Sequence, residues 1–124
     1  MVTVAAEIAE LWSAGTPIVY LVTAEEERAI GLCQAAASSF DANALVWSAN
    51  RGIEGMAPAA KDPAAFLDAL TRAPAPALAV GLDFHLALRD PLVARKLRDL
   101  LPRLVAEGRC IAIVARGFGP ADCL

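Results

Sequence analysis

The period of the apolar positions changes along this chain, and each change marks an element. Val4, Ile8, Leu11 and Trp12 recur at helical spacing and predict an amphipathic helix that Gly15 and Pro17 end. Pro17-Ile18-Val19-Tyr20-Leu21-Val22 follows at once as an unbroken apolar run, which predicts a strand. Over residues 24–39 the helical period returns, with Ala29 or Ile30, Cys33, Ala37 and Phe40 on the inner face, and Asp41-Ala42-Asn43 makes the turn. Ala44-Leu45-Val46-Trp47-Ser48 is short, apolar and partly β-branched, and reads as a second, buried strand. Residues 49–61, broken by Gly52, Gly55 and Pro58, form the only long irregular stretch, a length of loop that is often functional or mobile in small domains.

Asp62-Pro63 is an N-cap followed by proline at the first helical position, and predicts a helix to about Arg72 that Pro74 and Pro76 close. Ala77-Leu78-Ala79-Val80-Gly81-Leu82 is the third strand and runs into Asp83-Phe84-His85. Asp90-Pro91 repeats the cap-and-proline signal for a helix carrying Leu92, Val93, Leu97, Leu100, Leu101, Leu104 and Val105. Pro102 lies inside that pattern and is expected to kink the helix or split off its last turn. After Gly108, Cys110-Ile111-Ala112-Ile113-Val114-Ala115 supplies a fourth strand. Strict helix–strand alternation with uniformly apolar strands predicts a single α/β domain over residues 1–124. Its fold class is a three-layer sandwich with a mostly parallel four-stranded sheet between helices.

The size and composition agree with such a domain. A chain of 124 residues with 57% hydrophobic and 20% charged residues can bury its own core and needs no metal or disulfide to fold. No run approaches the ~20 apolar residues of a membrane span. The first residues, with Glu7 and Glu10 and no basic cluster, do not read as a signal peptide, so a cytoplasmic location and no membrane partner are expected. Three cysteines without CxxC spacing point to neither a disulfide framework nor a zinc site. Cys33 and Cys110 read as small core residues, and Cys123 as exposed and open to oxidation.

Charge is unevenly spread. Residues 1–70 hold nine acids and three bases, and residues 71–124 five acids and eight bases, six of the latter between Arg89 and Arg109. Such polarity suits head-to-tail self-association or an acidic partner, or simply a solvated helix face. No basic patch interleaved with aromatics accompanies it, so no nucleic-acid partner is expected.

Candidate chemistry gathers where the strands end, because parallel sheets bind ligands beyond the carboxyl ends of their strands. The first such end is Thr23-Ala24-Glu25-Glu26-Glu27-Arg28. A strand feeding a helix offers backbone N–H groups to an anion, but here carboxylates fill the place, and Thr23 and Glu26 have the spacing of a capping box. The other ends are Ser48 to Gly52, Asp83 to His85, and Arg116. Arg51, Asp83, His85 and Arg116 therefore form the candidate nucleotide- or anion-binding set. Asp83 and His85 are also the residues that acid/base chemistry would use. Asp83 resembles the magnesium-directing aspartate of P-loop ATPases, yet Phe84 follows it instead of a glutamate and no GxxxxGK[ST] loop precedes it. No catalytic residue, metal ligand or cofactor is assigned on this basis. Asn50-Arg51-Gly52 reads as a turn with glycine at positive φ, and Trp12 and Trp47 read as core.

Taken in order, Ile18-Val19-Tyr20-Leu21-Val22-Thr23 with Glu25-Glu26-Glu27-Arg28-Ala29, Val46-Trp47-Ser48 with Arg51-Gly52, Leu82-Asp83-Phe84-His85, and Asp90-Pro91 with Arg95-Lys96-Leu97-Arg98-Asp99-Leu100 carry a resemblance. They are similar to the N-terminal region of a group of AAA-type ATPases from bacteria and some plastid genomes, over about residues 11–114. The motif positions are Thr23, Glu25, Glu26, Arg28, Trp47, Gly52, Asp83, Phe84 and His85. The resemblance implies a degenerate P-loop-NTPase-like fold that has lost its nucleotide site and precedes an ATPase module absent from this chain. It also implies a non-catalytic domain for protein interaction, assembly or regulation, with an ATPase module or a second copy as partner. The chain alone is then no enzyme, whereas the full-length family protein would bind and hydrolyse ATP. The chain departs from the family pattern in its many alanines, in Pro102 and in the Arg116-Gly117-Phe118-Gly119 tail.

Overall fold

The computed structural model describes residues 3–42, 44–55 and 61–116. Its elements in chain order are α1 (Val4–Ser13), β1 (Ile18–Val22), α2 (Glu26–Ser38), β2 (Ala44–Ser48), β3 (Gly52–Ile53), α3 (Pro63–Arg72), β4 (Ala77–Leu82), α4 (Phe84–Ala87), α5 (Pro91–Glu107) and β5 (Arg109–Ala115). They build one sheet of order β1-β5-β4-β2-β3. β1, β5, β4 and β2 are the four expected strands and run parallel, with Ile18 level with Ile111, Ala77 with Arg109 and Ala44 with Leu78.

Alternation along the strands divides the core in two. Leu78 and Val80 of β4 and Cys110, Ala112 and Val114 of β5 face α1 and α2, where Ile8, Trp12, Ile30 and Cys33 meet them. Ala77 and Ala79 with Ile111 and Ile113 face the other way, against Phe66, Leu67 and Leu70 of α3 and Val93, Leu97 and Leu104 of α5. Strands buried on both faces must be apolar at every position, which is why β4 and β5 read as continuous hydrophobic runs. Both tryptophans are core residues, as their apolar settings predicted. Trp12 meets the Phe40 ring edge-on and donates its indole N–H to the Gly108 carbonyl at 2.7 Å. Trp47 stacks on Phe66 with centroids 5.2 Å apart.

The helix signals hold where an aspartate precedes a proline. Asp62 accepts from the Ala64 N–H at 3.3 Å and Asp90 from the Leu92 N–H at 2.9 Å, so each caps its helix with proline just inside. Gly108 closes α5 in the left-handed conformation, φ 71°. Three expectations need correction. Among the described residues the sheet has five strands, not four: Gly52–Ile53 folds back antiparallel on β2, pairing Trp47 with Ile53 and Ser48 with Gly52. A tight turn makes this possible, for Ser48 Oγ accepts the Arg51 N–H at 3.2 Å and Gly52 takes φ 70°. Two residues are too few for a strand period to show in sequence. Next, the chain after Asp83 is not simply a strand exit but coils into the single turn α4. Finally, Pro102 does not split off the last turn, for α5 continues through it to Glu107. Pro102 and Arg98 are both exposed, so water can take the Arg98 carbonyl that proline leaves without a donor.

Among the described residues, no helix is long and apolar enough to cross a membrane. The predicted turn residue Asn43, the breaker Pro58, Cys123 and the glycine-containing tail after Arg116 lie outside the described residues.

Candidate functional site

The amino end of the sheet is chemically closed. Arg109 opens β5 with its side chain 9% exposed, and its guanidinium donates to the carbonyls of Leu70 and Ala73 at the end of α3. Those are carbonyls that a helix end leaves without intrahelical donors. Glu107 holds the same guanidinium at 2.8 Å and also binds Arg103 at 2.9 Å. The hydrogen bonds from Arg109 and then Arg103 keep the Glu107 carboxyl below its ordinary range. Most of the basic run is engaged in the same manner, Arg95 by Asp99 and Lys96 by Asp68, each at 2.8 Å. Much of that positive stretch is therefore neutralised locally, in agreement with a solvated helix face.

The carboxyl end is open. Between α2, the exit of β2 and the exit of β4 lies a cavity of about 650 Å³, with Val46, Trp47, Ile30 and Leu82 contributing apolar wall. Its charged lining is Glu26 and Glu27 from α2, Glu54 after β3, Asp83 after β4, and Arg51 from the β2–β3 turn. Four carboxylates thus face one guanidinium. A phosphate charge about 6 Å from one of these carboxylates meets a repulsion of about 3 kcal/mol at an intermediate effective dielectric of about 20. The carboxylates are not grouped for a cation either: among the described residues, no three His, Cys, Asp or Glu side chains stand where they could share a metal ion.

Asp83 is held there by strained backbone. It takes φ 57° and ψ 26°, left-handed values that cost most residues about 1–2 kcal/mol and that aspartate tolerates better. Its N–H donates to the Val114 carbonyl at 2.8 Å and its carbonyl accepts from Leu86 at 3.0 Å, which locks the reversal between β4 and α4. Phe84 then turns inward, edge-on to both Trp47 and Phe66. Gly81 makes this possible, because a Cβ there would lie 2.7 Å from the Phe84 Cβ and 3.3 Å from the Phe66 ring. Neither Gly81 nor Arg109 stood out in the sequence. A glycine inside a strand run is a signal of close approach; nothing local marks an arginine that serves a helix end 36 residues earlier.

The four residues of the candidate anion set are only partly brought together. Arg51 and Asp83 line the cavity, joined by Glu26 and Trp47 from the motif positions. His85 is half-buried on α4 with both ring nitrogens shielded from solvent, and Arg116 is exposed at the end of β5; neither lines the cavity. Gly52 belongs to β3 and Phe84 to the core. Thr23, Glu25 and Arg28 border a separate hollow of about 270 Å³ with Val4, Leu21 and Val22. The capping box is not formed. Thr23 donates its N–H to the Ala115 carbonyl at 2.7 Å, which continues the sheet past β1, so the helix starts later with Glu25 as its N-cap residue. The Thr23 hydroxyl accepts instead from the Glu25 N–H at 3.0 Å, and Arg28 pairs with Glu25 at 3.4 Å.

Cys33 and Cys110 are buried free thiols, as their apolar settings predicted. Burial pushes the Cys33 thiol up to about 11 and that of Cys110 up to about 12, the neighbouring Cys33 adding to the latter. Both stay protonated near neutral pH and do not act as nucleophiles.

Residues 4–118 match the family model described as SpoVK-like AAA ATPase, N-terminal domain. No curated protein and no solved structure matches the chain significantly.

Proposed function

This chain belongs to the family of N-terminal domains of SpoVK-like AAA ATPases, and on that premise we propose that it is a non-catalytic domain that docks on other proteins, foremost the ATPase module of its own family. In this reading the fold is a P-loop-like scaffold whose phosphate site has been lost, and the cavity at the carboxyl edge takes a basic protein segment. One observation carries it: Glu26, Glu27, Glu54 and Asp83 line one cavity, with Arg51 as the one base among its described lining residues, at the sheet edge where an α/β protein would hold an anion. A negative cleft with apolar walls favours arginine- or lysine-bearing partners and repels a triphosphate.

A second reading is favoured by the size of the cavity, about 650 Å³, which lies in the range of small-molecule sites. It makes the domain a nucleotide or anion binder through Arg51 and Asp83. Light scattering on the chain mixed with a SpoVK-like ATPase module tests the first reading. The expected result is a complex whose dissociation constant rises at least ~10-fold in the double variant Glu26→Lys/Glu27→Lys. A chain with no affinity for the module, or a complex indifferent to those reversals, overturns it.

A further inference from the structure

The two edges of the sheet are unequal. One edge is β3, two residues long and buried at both. Short edges of that kind are a usual protection against unwanted strand pairing. β1 at the other edge spans Ile18–Val22 and, among the described residues, pairs with β5 alone. None of its five residues is charged and none is proline, so it has no protective device of its own.

Its backbone polarity can be read from the ladder. The Pro17 carbonyl accepts from Ile111 and the Thr23 N–H donates to Ala115, so the odd-numbered residues turn to β5. Ile18, Tyr20 and Val22 therefore present their N–H and C=O groups outward. The same three side chains point to the α3/α5 face, where Ile18 joins the core while Tyr20 and Val22 stay 48% and 53% exposed. More exposed apolar surface adjoins them. Val105, 47% exposed, lies against Gly15 just before the strand, and Val4, 45% exposed, borders the hollow beside Leu21 and Val22.

We propose that β1 is a self-association edge, at which two copies of this chain pair antiparallel about a twofold axis centred on Tyr20. Ile18 then lies opposite Val22 of the second copy and Tyr20 opposite its own image. The three outward residues of each strand exchange about six backbone hydrogen bonds in all, and one continuous sheet runs through both copies. Charge selects this occupant and this direction. In this register Gly15-Thr16-Pro17, which carry no charge, lie opposite Glu25-Ala24-Thr23 of the other copy, so the acidic run begins beside uncharged chain. Parallel pairing would set the two glutamate runs side by side. The cross-strand pairs formed, tyrosine on tyrosine and isoleucine on valine, are of the kind that stabilises sheets. This surface is separate from the carboxyl-edge cavity, so the two proposals stand or fall independently.

The test is light scattering with amide hydrogen exchange on the full 124-residue chain at about 100 μM and about 1 μM. The expected mass at the higher concentration is twice 12.9 kDa, with slowed exchange at Ile18, Tyr20 and Val22 that is lost on dilution. Tyr20→Lys places like charges face to face and should raise the dimer dissociation constant about 100-fold or more with an unchanged circular dichroism spectrum. Leu92→Lys, at a position 79% exposed on α5, should leave the dimer intact. A chain monomeric at 100 μM, about the upper limit of the assay, overturns the proposal. So does a dimer that persists in Tyr20→Lys, or protection of the three amides in a monomer.

Discussion

The amino and carboxyl ends of the sheet solve opposite problems with similar residues. At the amino end Arg109, Glu107 and Arg103 are consumed by each other and by the last carbonyls of α3, and Trp12 reaches across to the Gly108 carbonyl. At the carboxyl end Glu26, Glu27, Glu54 and Asp83 line one cavity with Arg51, and the backbone at Asp83 is strained. Satisfied polar groups hold a fold together, whereas like charges gathered without matching partners do not. The difference sets a closed, internally satisfied end against an open, acidic one, and it is the open end that the proposed function uses for recognition.

The largest expected effect breaks the structural end. Arg109→Met strips the Leu70 and Ala73 carbonyls of their buried donor, and urea denaturation should show a loss of about 2–4 kcal/mol. A loss below about 0.5 kcal/mol would mean that water replaces the guanidinium and that this end is not closed. Next comes Gly81→Ala, which drives a methyl into Phe84 and Phe66 and should cost about 1–3 kcal/mol. Because Phe84 anchors the turn that carries Asp83, the same variant should weaken partner binding at the cleft, measured by light scattering. Asp83→Gly has the opposite sign. Glycine accepts the left-handed backbone freely, so the chain should gain about 0.5–1 kcal/mol in the same urea titration while it binds its partner less well. A loss of stability would show that the Asp83 carboxylate is structural after all.

The smallest effect is a pH dependence. The folded-state pKa of Glu107 is depressed, so its contribution to stability is full above the unfolded carboxyl value and fades as pH falls through the folded value. Glu107→Gln should therefore flatten the acid limb of the stability profile between about pH 5 and pH 3 and change little at pH 7, as followed by thermal melts.

Much of this contrast was legible in the sequence, though unevenly. The apolar runs located β2 and β4 to the residue, and both Asp-Pro caps fell where expected, because those signals are local. The capping box misled because Thr23 is held in the sheet by Ala115, 92 positions away, and nothing near Thr23 records that. β3 was too short to have a period, and α4 depends on a left-handed Asp83 supported by Val114. At the candidate site the strand-end rule pointed to Arg51 and Asp83, which line one cavity. It also gathered His85 and Arg116, because lying near a strand end does not tell which way a side chain turns. The three glutamates after β1 kept their meaning in altered form: Glu26 and Glu27 line the cleft, and Glu25 pairs with Arg28 outside it.

Under the proposed function the carboxyl edge takes a protein segment and is closed to phosphate. Isothermal titration of the full 124-residue chain with ATP and magnesium addresses it directly. The expected result is no saturable heat at ligand concentrations up to about 1 mM, where even a binding free energy of about −4 kcal/mol would register. Saturable micromolar binding that weakens in Asp83→Ala would contradict it.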